Sequence, residues 1–510
     1  MDKLTIKNIY AGMPDAKDEI NTGQAEQFLA NFIIPPELPI EQLLDGRKFL
    51  VSGYKGVGKT SVLYYLQSIA EQRDPSTCTS FLYFKSDIGE MQKSDMDAIA
   101  KRLTAIVDIR GEIQPNRIDF THLWRWVFFK KIVDDNEDNT EGLFVKDDNW
   151  QEFVKQVNKI SLSSESKNII SLSSLKVSVQ LSPTTGFTAD ASVATDKISN
   201  DEKSFRKLIG IVENCECLFR KLVRTDIPYY LFVDEMEAFY GDEDLFRRDL
   251  TLIRDIIFTI HRLNGFGKVR IVAAVRNEIM YAMDRFIQTN EINKIIDGFS
   301  VPLKWSYSNT NSYEHPIIQI LMRRISVAAN GTPQTFKDWF PEQVNGKDTI
   351  SYILDNGWNK PRDIVRFLIA AQNDSLHCND SSFTQAAFDT LRKEYSRTSL
   401  AEIRQELQSL YSSAEIEMII RLLRGGSRIV TPESIRKKAP KGSAARAFWD
   451  IKKDDIIEDF YRVGFWGNVN RNGEYYAWRW NHKGDTGALS GDGWELAIHS
   501  ALCSELSISY

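Results

Sequence analysis

Cysteine is scarce in this chain: five in 510 residues, Cys78, Cys215, Cys217, Cys378 and Cys503, scattered and odd in number. That pattern argues against a disulfide framework and for a reducing compartment. Cys215-x-Cys217 has neither a second pair nor a nearby histidine, so it does not read as a zinc site. Long apolar runs are missing too. No stretch approaches the roughly 18 residues a membrane span needs, and Met1 to Lys7 lacks the apolar segment of a signal peptide. Nor is there a basic excess: 64 Lys and Arg stand against 70 Asp and Glu, a net charge of −6. No global positive field advertises nucleic-acid binding, although a local patch is not excluded by the total. No internal repeat is present. The chain reads as cytoplasmic, with no membrane partner, and its length suggests two to four domains.

What is there is concentrated in eight residues, Gly53-Tyr54-Lys55-Gly56-Val57-Gly58-Lys59-Thr60. They fit G-x-x-x-x-G-K-[ST], the phosphate-binding loop of P-loop NTPases. Gly53, Gly56 and Gly58 let the backbone curl so that successive N–H groups face one anion. Lys59 can reach the β- and γ-phosphates, the Thr60 hydroxyl can hold Mg²⁺, and Ser61 completes the phosphate-binding set. The flanks agree. Lys48 to Val51 reads as a buried strand and Ser61 to Ala70 as a helix, which sets the phosphate at a helix N-terminus.

Binding alone is not hydrolysis. Tyr229 to Val233 is a second apolar strand and ends at Asp234-Glu235. Asp234 is expected to hold Mg²⁺ through its water shell, and Glu235 to orient and polarise the attacking water. The alternative is an acidic N-cap, since Asp-Glu-Met-Glu could open a helix; Glu237 is set aside as lying on another face. Lys268 to Val275 is a third strand, ending at Arg276-Asn277. Arg276 is placed to sense the γ-phosphate, against a solvated strand-end arginine, with Asn277 as the other candidate sensor. In Gly357-Trp358-Asn359-Lys360-Pro361-Arg362-Asp363-Ile364, Pro361 lifts Arg362 into the first turn of an apolar-periodic helix. An arginine there can reach back to phosphates, or be an ordinary helix-start residue. Arg247, Arg248, Arg254 and Arg285 are candidates for a finger acting in trans. No Asn-Lys-x-Asp base-reading motif is present, because Asn293-Lys294 runs into Ile295-Ile296; adenine is favoured. No nuclease, protease or transferase motif appears.

Strands alternating with helices indicate a parallel α/β sheet. The expected organisation is a lead-in over 1–45, a P-loop core over 46–310, a helical lid over 311–395 and a winged-helix-like domain over 396–510. Within the core, about 134–200 breaks the rhythm. Alternating Val177, Val179, Leu181 and Phe187, Ala189, Ala191, Val193 around Pro183 to Gly186 predict a β-hairpin insertion, a surface decoration or a partner-binding or self-association arm; the Ser/Thr content of the stretch also fits partial disorder. Helices are expected over 91–107, 120–133, 244–263 and 454–463. Thr431-Pro432 marks another helix start, and a late hairpin is expected before Trp480. Arg428, Arg436, Lys437, Lys438, Lys441 and Arg446 cluster near it and could contact DNA phosphates; core packing or a protein interface explains the nearby tryptophans more simply.

Together Gly-Tyr-Lys-Gly-Val-Gly-Lys-Thr, Phe-Val-Asp-Glu, Ala-Val-Arg-Asn-Glu and Lys-Pro-Arg-Asp-Ile resemble the bacterial STAND-like and initiator-like P-loop ATPases, kin to AAA+. The resemblance also takes in Asp15 to Glu19 and Ile498 to Leu502. It implies an ATPase using ATP and Mg²⁺, with Lys59, Glu235, Arg276 and Arg362 as catalytic residues and Thr60 and Asp234 on the metal. It implies a switch in a homo-oligomer or with an effector protein, and a role in antiphage defence. The other reading is an initiator-like or regulatory DNA-binding ATPase.

Overall fold

The structure is a computed structural model that describes residues 4–108, 118–161, 170–171, 191–239, 242–287, 290–305, 312–472, 475–485, 487–488 and 493–508. It divides into two compact units, one of Met1–Leu38, Gly53–Val62 and Pro302–Tyr510, the other of Pro39–Ser52 and Leu63–Val301.

The second of these is built on a five-stranded sheet. The strands along the chain are β1 Leu50–Gly53, β2 Cys78–Tyr83, β3 Ile160–Ser161, β4 Ile170–Ser171, β5 Tyr229–Met236, β6 Arg270–Arg276 and β7 Ser300–Pro302. Among the described residues β3 and β4 pair only with each other, and the rest lie in the order β2-β5-β6-β1-β7. β2 runs parallel to β5, and β5 parallel to β6. Thus an additional strand, β6, separates the one that precedes the phosphate loop from the one that ends in Asp-Glu. That order fits an α/β P-loop NTPase sheet. Leu231, Phe232 and Val233 on β5 and Ile271 to Val275 on β6 are all buried, the near-continuous apolar pattern of strands covered on both faces. The helix Glu243–Gly265 supplies Leu250, Ile253, Ile256, Ile257 and Ile260 to the same core. Its start is set by Asp242, whose side chain accepts from Leu245 N at 3.0 Å, and by the acids Glu243 and Asp244 in the first turn. The aromatic helix Thr121–Asp138 buries Trp124, Trp126, Phe128 and Phe129.

In the other unit, residues 4–31 lie along the helices that follow residue 312: Gln372 Nε2 donates to the carbonyls of Ile6 at 3.1 Å and Ile9 at 2.6 Å. Those helices are Pro316–Ala328, Thr349–Asp355, Pro361–Gln372 and Gln385–Leu407, with a small hairpin of β8 Gln343–Val344 and β9 Lys347–Asp348 between the first two. Beyond them come the helix Ser413–Leu423, β10 Ile429–Val430, the helices Pro432–Lys438 and Ala444–Arg462, β11 Trp466–Asn472, β12 Tyr475–Arg479 and β13 Trp494–Ile498. These four strands form an antiparallel sheet in the order β10-β13-β11-β12. Trp358 locks the turn before Pro361 to this part of the chain. Its Nε1 donates to Gly464 O at 2.8 Å and its ring stacks on His499 at 4.1 Å. Gly464 has φ +76, and a Cβ there would meet the indole at 2.6 Å, so only glycine fits.

Several expectations hold and several are corrected. The helices expected over 91–107, 120–133 and 244–263 are present as Glu90–Asp108, Thr121–Asp138 and Glu243–Gly265, and the late hairpin is β11 with β12. The phosphate-loop helix begins at Lys59, not Ser61, and runs to Arg73. The helix expected over 454–463 begins at Ala444, because Ser443 caps it by accepting from Arg446 N at 3.2 Å. The Gln385–Leu407 helix crosses residue 395, where the lid was expected to end. The hairpin expected over 177–193 is not what Ala191 and Val193 do: they belong to the helix Ala191–Lys221, and the rest of that segment lies outside the described residues. Among the described residues no helix is long and apolar enough to cross a membrane.

Two buried histidines give this unit a pH-dependent stability. Burial, with the charge of Arg428, pushes His499 down to about 3. Burial, with the charge of Lys483, pushes His315 down to about 4. Both are neutral when folded, whereas an unfolded histidine takes up a proton near pH 6.5. Their contribution is therefore complete above about pH 6.5 and is lost as the pH falls toward their folded values. Urea unfolding followed by tryptophan fluorescence should show a loss of roughly 2 kcal/mol per histidine between pH 7 and pH 5. His315→Asn should remove its own share of that dependence.

Candidate functional site

The phosphate loop is shaped by its glycines. Gly56 has φ +81 and Gly58 φ +90, a left-handed backbone that costs glycine nothing and other residues about 1 kcal/mol or more. The helix starts at Lys59, so Thr60 and Ser61 lie in its first turn. Lys59 Nζ donates to the carbonyls of Gly53 and Tyr54, each at 2.9 Å. The loop is braced by three groups far away in sequence. Trp305 Nε1 donates to Val57 O at 2.9 Å. Arg362 N donates to Gly56 O at 3.3 Å. Lys55 Nζ donates to Gln405 Oε1 at 2.5 Å. The absence of a side chain at Gly56 is what admits Arg362, since a Cβ there would lie 3.0 Å from Arg362 Cβ.

Arg362 stands where Pro361 was expected to put it, in the first turn of the helix Pro361–Gln372. The turn before it is tied by Asp363, whose Oδ2 accepts from Trp358 N at 2.7 Å and Lys360 N at 3.0 Å. One face of the Gln385–Leu407 helix then collects the cations. Glu402 takes Arg362 at 3.0 Å and Arg366 at 2.8 Å, and Glu406 takes Lys360 at 3.2 Å. Burial pushes the Glu402 carboxyl up, but Arg366, Lys360, Arg362 and Lys55 outweigh it and hold the group well below the usual range. Asp363 goes the other way: burial raises it, against the charges of Arg366 and Lys360.

The sheet unit carries the acidic residues. β5 does not stop at Val233; it continues through Asp234 and Glu235 to Met236, with its register to β6 shifting between Val233 and Met236. The acidic-N-cap alternative therefore does not occur. Asp234 is buried, and its carbonyl accepts from Phe84 N at 2.9 Å. Glu235 sits at φ +57, a sparsely populated conformation for a residue with a side chain. Its carboxylate accepts from Ser86 N at 3.0 Å and from the Ser86 hydroxyl. Arg276, at the end of β6, pairs with Glu237, which also meets Lys85 at 3.4 Å. Asn277 opens the helix Asn277–Ile287 with its Oδ1 buried. Two of the four candidate trans arginines are committed inside the chain. Buried Arg248 pairs with Glu90 at 2.5 Å and Asp249 at 2.7 Å, and buried Arg254 with Asp255 at 2.6 Å. Arg247 is on the surface with Glu243 at 2.9 Å, and Arg285 is exposed.

Sequence reasoning missed Ser86, Trp305, Glu402, Gln405 and Glu406, and discounted Glu237. A signal did exist for one group: Glu402, Gln405 and Glu406 are spaced i, i+3, i+4 and so share a helix face. No local pattern marks Ser86 or Trp305.

A family profile described as the FunZ-associated C-terminal helical domain matches residues 315–404, which takes in Arg362 and Glu402. No curated protein matches the chain. Among solved structures, the chain is similar to the Aeropyrum pernix ORC2 protein, determined as ADPNP-ADP complexes, at 11% identity and a TM-score of 0.37, covering 89% of this chain and 93% of that one.

Gly56→Ala should strain the loop and push Arg362 away. Thermal unfolding should show a loss of about 1–2 kcal/mol, and Arg362→Ala in the same chain should relieve part of it, because the clash partner has been shortened.

Proposed function

We propose that the chain is an ATP-binding and hydrolysing switch. The observation that carries this reading is the phosphate loop itself: a strand, left-handed glycines, a lysine over the loop and a helix N-terminus, with Arg362 seated on Gly56. Lys59 and the backbone of Gly53 to Ser61 would take the phosphates, and Thr60 and Asp234 the Mg²⁺. Glu235 would orient the attacking water, and Arg276 and Arg362 would read the γ-phosphate. The donor set suits the metal, a hydroxyl and a carboxylate for a hard cation that keeps part of its water shell. Glu235 rests on Ser86, and Arg276 on Glu237; both contacts must give way for those roles, which fits a switch that is not permanently on. Adenine is favoured by the missing base-reading motif.

The order helix, strand, helix, helix, strands over 413–498 fits a winged-helix module behind a helical lid, and that module is the output we assign to the switch, acting in a homo-oligomer or on an effector. A place in antiphage defence follows from the resemblance alone. The DNA-binding alternative rests on exposed Lys437, Lys438 and Lys441. It is weakened because Arg436 and Arg446 are both engaged by Asp450, at 2.5 and 3.3 Å. The adjoining helix Ala444–Arg462 also exposes Asp450 and Asp454.

Lys59→Ala should abolish ATP binding in calorimetric titration. Glu235→Gln should keep binding and lower steady-state phosphate release by about 100-fold or more, the scale of a lost general base; undiminished release would remove Glu235 from that role. Charge reversal at Lys437, Lys438 and Lys441 should leave ATP turnover unchanged. If DNA is a ligand, the same change should reduce the salt slope of binding by about one for each phosphate no longer neutralised.

A further inference from the structure

The helix Gln385–Leu407 holds three residues of one face against the phosphate loop and the turn that carries Arg362. Glu402 pairs with Arg362 at 3.0 Å, Gln405 accepts from Lys55 at 2.5 Å, and Glu406 pairs with Lys360 at 3.2 Å. Two of these cations, Lys55 and Arg362, belong to the loop or touch its backbone. A nucleoside triphosphate brings about four negative charges to that loop, and guanidinium binds phosphate oxygens in the same forked geometry as a carboxylate. The phosphates and the helix face therefore compete for the same cations.

The partners are graded for exchange. Arg366 is 10% exposed and is held by Glu402 at 2.8 Å and Asp363 at 2.8 Å, so it stays. Arg362 is 21% exposed and has the single carboxylate partner Glu402 among the described ion pairs. When Arg362 leaves, Glu402 keeps Arg366 and is not left as an unpaired buried charge, the situation that makes breaking most buried pairs costly. Lys55 leaves a neutral amide. The same helix is tied to the C-terminal segments: Ser396 Oγ accepts from Glu505 N at 2.9 Å, and Arg404 pairs with Glu417 at 2.5 Å.

We propose that the Glu402–Gln405–Glu406 face acts as a built-in counter-anion that holds Arg362 and Lys55 until nucleotide phosphates displace it, making Glu402 a positioning residue that opposes nucleotide binding. The inference rests on the ATP-binding reading above and adds to it a regulator within the same unit. Nucleotide occupancy is thereby read by a 23-residue helix that also touches the C-terminal segments.

The test is calorimetric titration of the full chain with Mg·ATP. Glu402→Gln should tighten binding about tenfold, within the usual range of coupling between sites, and lower KM without raising kcat. Gln405→Ala, at an exposed position, should tighten it several-fold and keeps the test alive if Glu402→Gln does not fold. In an Arg362→Ala background Glu402→Gln should have no effect, since the residue acts through Arg362. A merely structural Glu402 would weaken binding or change nothing in both backgrounds. Lys59-dependent binding that is unchanged or weaker in both single variants overturns this proposal alone. Absence of Mg·ATP binding by the unaltered chain overturns the nucleotide reading, and this one with it.

Discussion

The seat of Arg362 on Gly56 is the contact on which this half of the molecule is organised. It requires a residue without a side chain at a left-handed position, a proline that starts a helix at the next turn, and a carboxylate to hold the guanidinium. Gly56, Pro361 and Glu402 meet those needs from three distant stretches of chain. Remove any one and the others lose their reason. A side chain at 56 would occupy the space of Arg362; without Pro361 the arginine would not stand in the first turn; without Glu402, Arg366 and its neighbours would face one another with less negative charge between them.

From that seat the contacts run outward along two elements. The turn 357–362 is pinned at one end on the phosphate loop and at the other by Trp358, stacked on His499 and bonded to Gly464. The Gln385–Leu407 helix runs alongside, pinned by Glu402 at the loop and by Ser396 at the chain's last segment. Both connections are made of close-packed side chains and regular helix, with little empty space to absorb a displacement.

Local signals were legible where the physics is local. The octamer, the apolar strands and the helix Glu243–Gly265 follow from periodicity, glycine punctuation and capping chemistry, and each formed within a few residues of its expected bounds. At Asp234-Glu235 the conformation was not legible: acids after a strand look like a cap, whereas β5 extends through them with Glu235 at φ +57. The partners of each site residue were not legible. Ser86 holds Glu235 across 149 positions, Trp305 holds Val57 across 248, and Gln405 holds Lys55 across 350. β13 enters between β10 and β11 by backbone pairing that no hydrophobic pattern announces.

By itself the amino-acid sequence determined that a glycine-bent loop forms between a strand and a helix, that acids end one strand and an arginine another, and that Arg362 lies in the first turn of a helix. It could do so because glycine, proline and charge act on their nearest neighbours along the chain. Tertiary structure alone decided which of those groups are held and by what. Glu235 rests on Ser86, Arg276 on Glu237, and Arg362 on both Gly56 and Glu402. Those pairings are set by packing between residues far apart in sequence, where burial makes each charge seek the nearest opposite one.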